Sequence, residues 1–382
     1  MKRVLFYVQH LLGVGHVYRA TRVAHGLRKA GFEVHLAWGG TELPGFDFGG
    51  LLLHQLPPVR TNDASFSKLV HPDGIELSES DKAERRNRLL TLFDEIAPDV
   101  LITEAYPFGR RQMRFELISL LEKAKASQKP PMIISSIRDI MQEGRKQKRV
   151  EESNALMNDY YDLLLVHGDP QFAPIEKTLQ GTETFLDKIR YTGLVAPEPF
   201  DGPIDDEFRC DVLVTVGGGA FGYELLHNAI QAKQICKSFP NNWLVSTGTE
   251  LADDLYQKIC QDVPAGMRIV RHIPNLLGAM TACKVSVSHS GYNTVADIFR
   301  ANCASVLYPH TGGKETEQLR RSELLESAGL AKMIAPGNLS PQSLANAIDQ
   351  AAQADPEKIQ LNLEGAGRTA VIILEELSKI DR

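Results

Sequence analysis

The sequence predicts an α/β protein of two domains, each a parallel sheet wrapped by helices. Three observations carry that expectation. Short apolar runs alternate with helical periodicity from end to end. A chain of 382 residues is too long for a single core. A stiff connector, Ala196-Pro197-Glu198-Pro199-Phe200-Asp201-Gly202-Pro203, then splits the chain with three prolines in seven residues.

In the first half, apolar runs at 4–8, 33–37, 51–53, 100–103, 132–135 and 163–166 read as strands. Helical stretches at 16–30, 89–96 and 112–125 lie between them, the first stopped by Gly31. Residues 57–83 lack periodicity and read as a long loop. After the connector, strands are expected at 212–216, 243–247, 267–270, 285–288 and 305–308, each followed by a helix. The domains are therefore drawn as 1–196 and 204–362, with a final helix over 363–382 packing back toward the first domain. Two such halves describe Rossmann-like domains whose parallel sheets face a central cleft.

Composition excludes several classes. The net charge of −6 argues against a nucleic-acid binder, which would carry a basic field. The basic runs at 84–88 and 145–149 read as solvated helix faces. Five widely spaced cysteines with no CxxC pair suggest neither a disulfide frame nor a zinc site, and a reducing, cytoplasmic setting is the expectation. Lys2 and Arg3 precede an apolar run that stops at Gln9-His10, so it reads as a first strand rather than a signal peptide. No apolar stretch approaches the roughly 20 residues of a membrane span.

In open α/β sheets, ligands bind beyond the carboxyl ends of the strands. That rule singles out three segments. Gly13-Val14-Gly15-His16 follows the first strand and opens a helix, so its glycines allow close ligand approach and its free N–H groups favour an oxyanion. Tyr18 stands where a dinucleotide fingerprint needs glycine, so a nicotinamide cofactor is not indicated. Gly217-Gly218-Gly219-Ala220-Phe221-Gly222 follows the first strand of the second half, without the Lys-Ser/Thr of a P-loop. The third segment, 284–318, combines a Ser290-Gly291 turn, the donors Asn293 and Thr294, the acid Asp297 and the pair Glu317-Gln318. A diphosphate, a ribose and a sugar need those groups side by side, which implies a nucleotide-sugar site.

With these residues the chain resembles GT-B glycosyltransferases, closest in pattern to glycosyltransferase family 28, and is similar to a group of predicted bacterial glycosyltransferases. The resemblance covers nearly the whole chain and is strongest over 210–330. It implies that the Gly217–Gly222 loop contacts the diphosphate and that His272-Ile273 hold the uracil edge through their backbone. It further implies that Asp297 binds ribose and that Glu317-Gln318 read sugar hydroxyls, with a UDP-linked N-acetylhexosamine as donor. Where the family has Gly-Gly-His-x-x-Pro, this chain has Gly15-His16-Val17-Tyr18-Arg19, so acceptor identity does not carry over. The same turn is similar to that of the UDP-sugar hydrolase of pseudaminic acid synthesis, in which the matching histidine activates water.

The expected chemistry is inverting sugar transfer to a hydroxyl acceptor, with no cofactor and no metal. His16 is the expected base and Glu104, at a strand end, the second candidate, unless Glu104 only pairs with Arg138. Helix N-termini near Gly219 and Gly291 would stabilise the leaving diphosphate. Residues 106–115 mix apolar and basic side chains and read either as the seat of a lipid-linked acceptor, with peripheral membrane contact, or as the start of a core helix.

Overall fold

The computed structural model describes residues 1–11, 15–43, 46–61, 68–218, 222–312, 315–353 and 361–380. Its contacts divide the chain into two compact units, Met1–Val195 with Glu364–Arg382, and Ala196–Leu363.

Unit 1 runs β1 (Arg3–Val8), α1 (Gly15–Lys29), β2 (Glu33–Trp38), β3 (Leu52–Gln55), α2 (Glu79–Ile96), β4 (Val100–Glu104), α3 (Arg114–Ala126), β5 (Met132–Arg138), α4 (Gln147–Tyr160), β6 (Leu163–His167) and β7 (Ile189–Tyr191). Unit 2 runs β8 (Val212–Thr215), α5 (Tyr223–Ala232), β9 (Trp243–Ser246), α6 (Asp253–Gln261), β10 (Met267–Val270), α7 (Leu276–Ala282), β11 (Val285–Ser288), α8 (Tyr292–Ala301), β12 (Ala304–Leu307), α9 (Glu317–Ser327), β13 (Lys332–Met333) and α10 (Pro341–Ala351). The chain ends in α11 (Gly365–Ile380), which belongs to unit 1.

Both sheets are wholly parallel, in the orders β3-β2-β1-β4-β5-β6-β7 and β10-β9-β8-β11-β12-β13. Covered on both faces, such strands must be apolar throughout, and Val4 to Val8 are all fully buried. In each unit the chain winds outward from one strand and then returns to that strand's other side. The reversal falls between β1 and β4 in unit 1, and between β8 and β11 in unit 2. A crevice opens at such a switch point, beyond the strand carboxyl ends. No sequence repeat announces it, yet the two units share one winding.

The helix α1 buries Val17, Ala20, Val23, Ala24 and Leu27, a 3.6-residue stripe, against the sheet. Its Gly26 sits where α11 crosses: a Cβ there would lie 2.5 Å from the Ala366 carbonyl oxygen. A second anchor is the Gly365 N–H, which donates to Leu194 O at 3.0 Å.

The run at 84–88 is not simply solvated. Arg85 is fully buried, donating to Glu116 Oε2 through Nε at 2.7 Å, to Gln9 Oε1 at 2.6 Å and also to the Pro57 carbonyl. The Tyr7 hydroxyl donates to Glu116 Oε1 at 2.5 Å. This ties β1, the 57–59 loop, α2 and α3 together beneath the Gln9 end of β1. Removing one member of such a buried pair leaves an uncompensated charge. Glu116→Ala is therefore expected to destabilise unit 1 by about 3–5 kcal/mol in urea unfolding, and adding Arg85→Met to recover much of that loss.

Residues 106–115 start a core helix: Tyr106, Phe108 and Met113 are at most 2% exposed. Of the apolar side chains that a lipid seat would have used, these three are inside the core and Phe115 is half-buried against it. Among the described residues no helix is long and apolar enough to cross a membrane.

Candidate active site

At the switch point of unit 1, the start of α1 meets the end of β4. His16 Nδ1 lies 3.2 Å from Glu104 Oε1, and Glu104 is fully buried. The Arg19 guanidinium, one turn along α1, donates to the same carboxylate oxygen and lies 3.3 Å from His16 Nδ1. The pairing of Glu104 with Arg138, weighed from the sequence, is replaced by this one. An unprotonated Nδ1 would face the carboxylate oxygen lone pair to lone pair at 3.2 Å, so the favoured arrangement has His16 Nδ1–H donating to Glu104. Nε2 then keeps its lone pair.

The carboxylate's other oxygen continues inward. Ser136 Oγ on β5 donates to Glu104 Oε2 at 2.8 Å and lies 3.0 Å from His167 Nε2 on β6. His167 Nδ1 lies 2.9 Å from Thr192 Oγ1. Ser136 donates to the carboxylate and is backed by His167 and Thr192, whose hydroxyl also donates to Gly193 O at 2.8 Å. These groups hold Glu104 in place under His16.

Burial alone would raise the Glu104 carboxyl, but Arg19, the His16 hydrogen bond and His167 outweigh it and hold Glu104 well below the carboxylate range. Burial and the Arg110 charge hold His16 well below the ordinary imidazole value, against the pull of Glu104. With 21% of its side chain exposed, His16 is the one member of the pair a ligand can reach, and it is neutral at neutral pH. Burial and Arg19 push His167 down to about 3.

The His167 shift has a thermodynamic consequence. Between the unfolded histidine value near 6.5 and about 3, the unfolded state binds a proton that folded His167 refuses, so stability falls as pH falls through that window. The slope from His167 is at most about 1.4 kcal/mol per pH unit. His167→Gln should flatten the fall in unfolding free energy between about pH 6.5 and about pH 5, measured by urea titration at each pH.

At the switch point of unit 2, backbone groups dominate. Gly217 takes a left-handed backbone (φ 63), and both Gly217 and Gly218 are exposed. The loop packs on Gly248, after β9: a Cβ there would lie 2.5 Å from the Gly218 carbonyl. The Glu250 N–H fixes Gly218 O at 2.9 Å. The helix α5 opens at Gly222 and α8 at Gly291, and no side chain caps either. The same holds for α3, α4, α6 and α9, whereas α2 and α10 are closed by capping boxes on Ser78 and Ser340. Uncapped N-termini of ten-residue helices at strand ends leave N–H groups aimed outward, suited to a phosphate. A Cβ on Gly291 would meet only Thr294 Oγ1, at 3.9 Å, so that turn is open.

Ser290 is fully buried and anchored by α9: its Oγ donates to Gln318 O at 2.9 Å and accepts from Ser322 Oγ at 2.7 Å, while Arg321 Nη1 donates to Ser290 O at 2.9 Å. Glu317, expected to read sugar hydroxyls, is paired within α9. Its side chain is 3% exposed and accepts from Arg321 Nη2 at 2.7 Å, one helical turn away. Gln318 stays half-buried, with Oε1 accepting from the His310 N–H at 3.1 Å.

The remaining expected residues fall as follows. Gly15, in the first turn of α1, and His272, beyond β10, are exposed, whereas Ile273 is buried. Asn293, Thr294 and Asp297 lie half-buried on α8. Gly13 and Gly219 lie outside the described residues. Sequence reading missed Gly248, Arg321, Ser136 and Thr192, and gave Arg19 and His167 no role in the site. The Glu317/Arg321 spacing of four was a usable signal, as was Gly248 directly after a predicted strand. Among the described residues no three His, Cys, Asp or Glu side chains cluster so as to hold a metal ion.

Both units, joined in one chain, match solved glycosyltransferases in fold. The calicheamicin glycosyltransferase CalG4 superposes with a TM-score of 0.66 at 15% identity over 100% of both chains. MurG of Acinetobacter baumannii does so with a TM-score of 0.57 at 15% identity, over 99% of this chain and 100% of its own. The fold is therefore that of the GT-B glycosyltransferases. Within it, residues 212–370 match the glycosyltransferase family 28 C-terminal domain. An uncharacterised glycosyltransferase of Methanopyrus kandleri is 28% identical over 166 residues, 42% of this chain and 44% of the relative. The UDP-N-acetylglucosamine--N-acetylmuramyl-(pentapeptide) pyrophosphoryl-undecaprenol N-acetylglucosamine transferase of Solibacter usitatus is 27% identical over 210 residues, 52% of this chain and 57% of the relative. The chain thus spans about half the length of the relatives it matches.

Proposed function

We propose that the protein is an inverting, metal-independent glycosyltransferase that moves a sugar, an N-acetylhexosamine, from a UDP-sugar to a hydroxyl acceptor. The observation that carries this reading is the His16–Glu104 pair at the unit 1 switch point, with Nε2 left to take a proton. The family 28 domain supports the donor half, and the Solibacter relative's name supports the sugar.

In the proposed reaction, the acceptor hydroxyl gives its proton to His16 Nε2 as its oxygen bonds to the anomeric carbon. The bond from that carbon to the diphosphate oxygen breaks on the opposite face, and its electron pair leaves with UDP. Glu104 stabilises the imidazolium that forms and keeps the ring oriented, without itself taking the proton. The N–H groups at Gly217-Gly218, α5 and α8 stabilise charge developing on the diphosphate, a task for which fixed donors need no reorganisation. Asp297 accepts from the ribose hydroxyls, and Gln318 contacts the sugar.

The same pair would activate water as readily as a sugar hydroxyl, so a UDP-sugar hydrolase is the second reading. Incubating the protein with UDP-, dTDP- and GDP-sugars, without acceptor, separates the two. Binding of a UDP-sugar with slow UDP release supports the transferase. Fast release supports the hydrolase, and binding of no nucleotide-sugar overturns both.

A further inference from the structure

At the carboxyl edge of the unit 1 sheet, a cavity of about 160 Å³ opens among three chain segments. Phe108, in the turn after β4, forms one side of it. Residues 142–145, after β5, form the second side, and residues 177–180, after β6, the third. Val150, Ser153 and Asn154 on α4 complete the wall. A space of that size holds a ring of about six heavy atoms.

The polar groups on this wall are left incomplete by the fold. Asn154 Nδ2 donates to Gln180 O at 3.2 Å, which fixes the orientation of the amide. Gly181 makes room for it, since a Cβ there would clash with Nδ2. Asn154 Oδ1 is buried and has no hydrogen-bond partner among the described residues. Such an acceptor costs about 1–3 kcal/mol, which a ligand hydroxyl or N–H would recover. Arg145 and Lys177 stand on the same wall, and neither side chain has a hydrogen bond or ion pair among the described residues. Arg145 is half-buried, and burial with the Arg138 and Arg149 charges pushes its pKa down to about 10, with no acid acting on it. The helix α4 opens at Gln147 without a side-chain cap, which adds partial positive charge beside the same loop. Glu143, also on the wall, already has an interaction of its own.

We propose that this cavity is an acceptor subsite for an acidic sugar, with Arg145 and Lys177 on its oxyanion and Asn154 Oδ1 accepting from a neighbouring hydroxyl. This rests on the reading of unit 1 as the acceptor side of a glycosyltransferase. Guanidinium and ammonium groups are strong donors to carboxylate and phosphate oxygens, and a sugar carries hydroxyls beside either. The strands β5 and β6 lie one and two spacings from β4, about 5 and 10 Å. Glu104 ends β4, so an acceptor longer than one sugar ring reaches from the subsite to His16.

The test is calorimetric titration of glucuronate and of glucose 6-phosphate into the protein saturated with UDP, so that the donor's diphosphate site is already filled. At least one of the two should bind. Arg145→Ala and Lys177→Ala should each weaken that binding by about tenfold or more, with UDP affinity unchanged. Neither side chain bonds within the fold, so both variants should keep the wild-type urea midpoint. Arg111→Ala, whose partner is Glu152, should leave binding as it was. Binding of glucuronate alone assigns a sugar carboxylate, of glucose 6-phosphate alone a sugar phosphate, and of both an oxyanion of either kind. Binding of neither, equal binding by the Arg145 and Lys177 variants, or equal binding of uncharged glucose overturns the subsite. If UDP does not bind, the donor reading fails, and the same titrations without UDP still decide the subsite.

Discussion

Replacing His16 by alanine lowers donor turnover, followed as UDP release, by about 10²–10⁴-fold, while UDP binds as before. The range is what a positioned base contributes to proton transfer. Donor affinity is spared because the diphosphate contacts assigned to unit 2 use backbone N–H groups at Gly217-Gly218 and at the starts of α5 and α8. The mutation also does little to the fold, since His16 is the partly exposed end of its network and leaves the Glu104–Arg19 pair intact. Near-normal turnover in this variant would remove His16 from the role.

Glu104→Gln is expected to lower turnover by a similar order, about 10²–10⁴-fold, for a different reason. The amide can donate to His16 Nδ1, which favours the tautomer with its proton on Nε2, the wrong nitrogen for a base. It also leaves Arg19 without a counter-charge in a buried setting, which should cost about 3–5 kcal/mol of stability. Because the two residues act as one unit, the double variant with His16→Ala should be scarcely slower than either single variant. Multiplied losses in the double variant would mean that Glu104 acts independently of His16. Ser136→Ala keeps the charge and removes one hydrogen bond to Glu104, so it separates orientation from ion pairing.

Much of this architecture was legible because parallel strands are buried on both faces and must be apolar along their length. That is why the runs at 4–8, 100–103 and 285–288 sit within a residue or two of β1, β4 and β11. What escaped were short edge strands, β7 (three residues) and β13 (two residues), whose half-buried side chains leave no hydropathy signal. The first half of α2 escaped as well, because its polar sequence resembles the loop before it. Ser78 and Asp81, a capping box with Asp in place of the usual Glu, marked the true start.

The candidate site was legible to the extent that it sits at strand ends. His16 and Glu104 could be put forward separately, and the switch-point winding brings them to 3.2 Å. His167 stood at a strand end without a role, and Ser136 and Thr192 were not legible, because these are single polar residues 25 or more positions from their partners, inside or beside apolar strands. Glu317 shows the opposite limit. Its type and place fitted a ligand contact, and Arg321, four residues on, drew no notice as a donor to the same carboxylate.

The central claim is a division of labour, with the donor held by unit 2 and the proton taken by His16 in unit 1. Parallel titrations of UDP and a UDP-sugar onto the wild-type protein and His16→Ala, with UDP release followed in the same samples, test it most directly. The account predicts equal affinities for the two proteins, and a slow UDP release by the wild type, to water in place of the acceptor, that His16→Ala lowers further. Loss of donor binding in His16→Ala, or release at the wild-type rate, would contradict it.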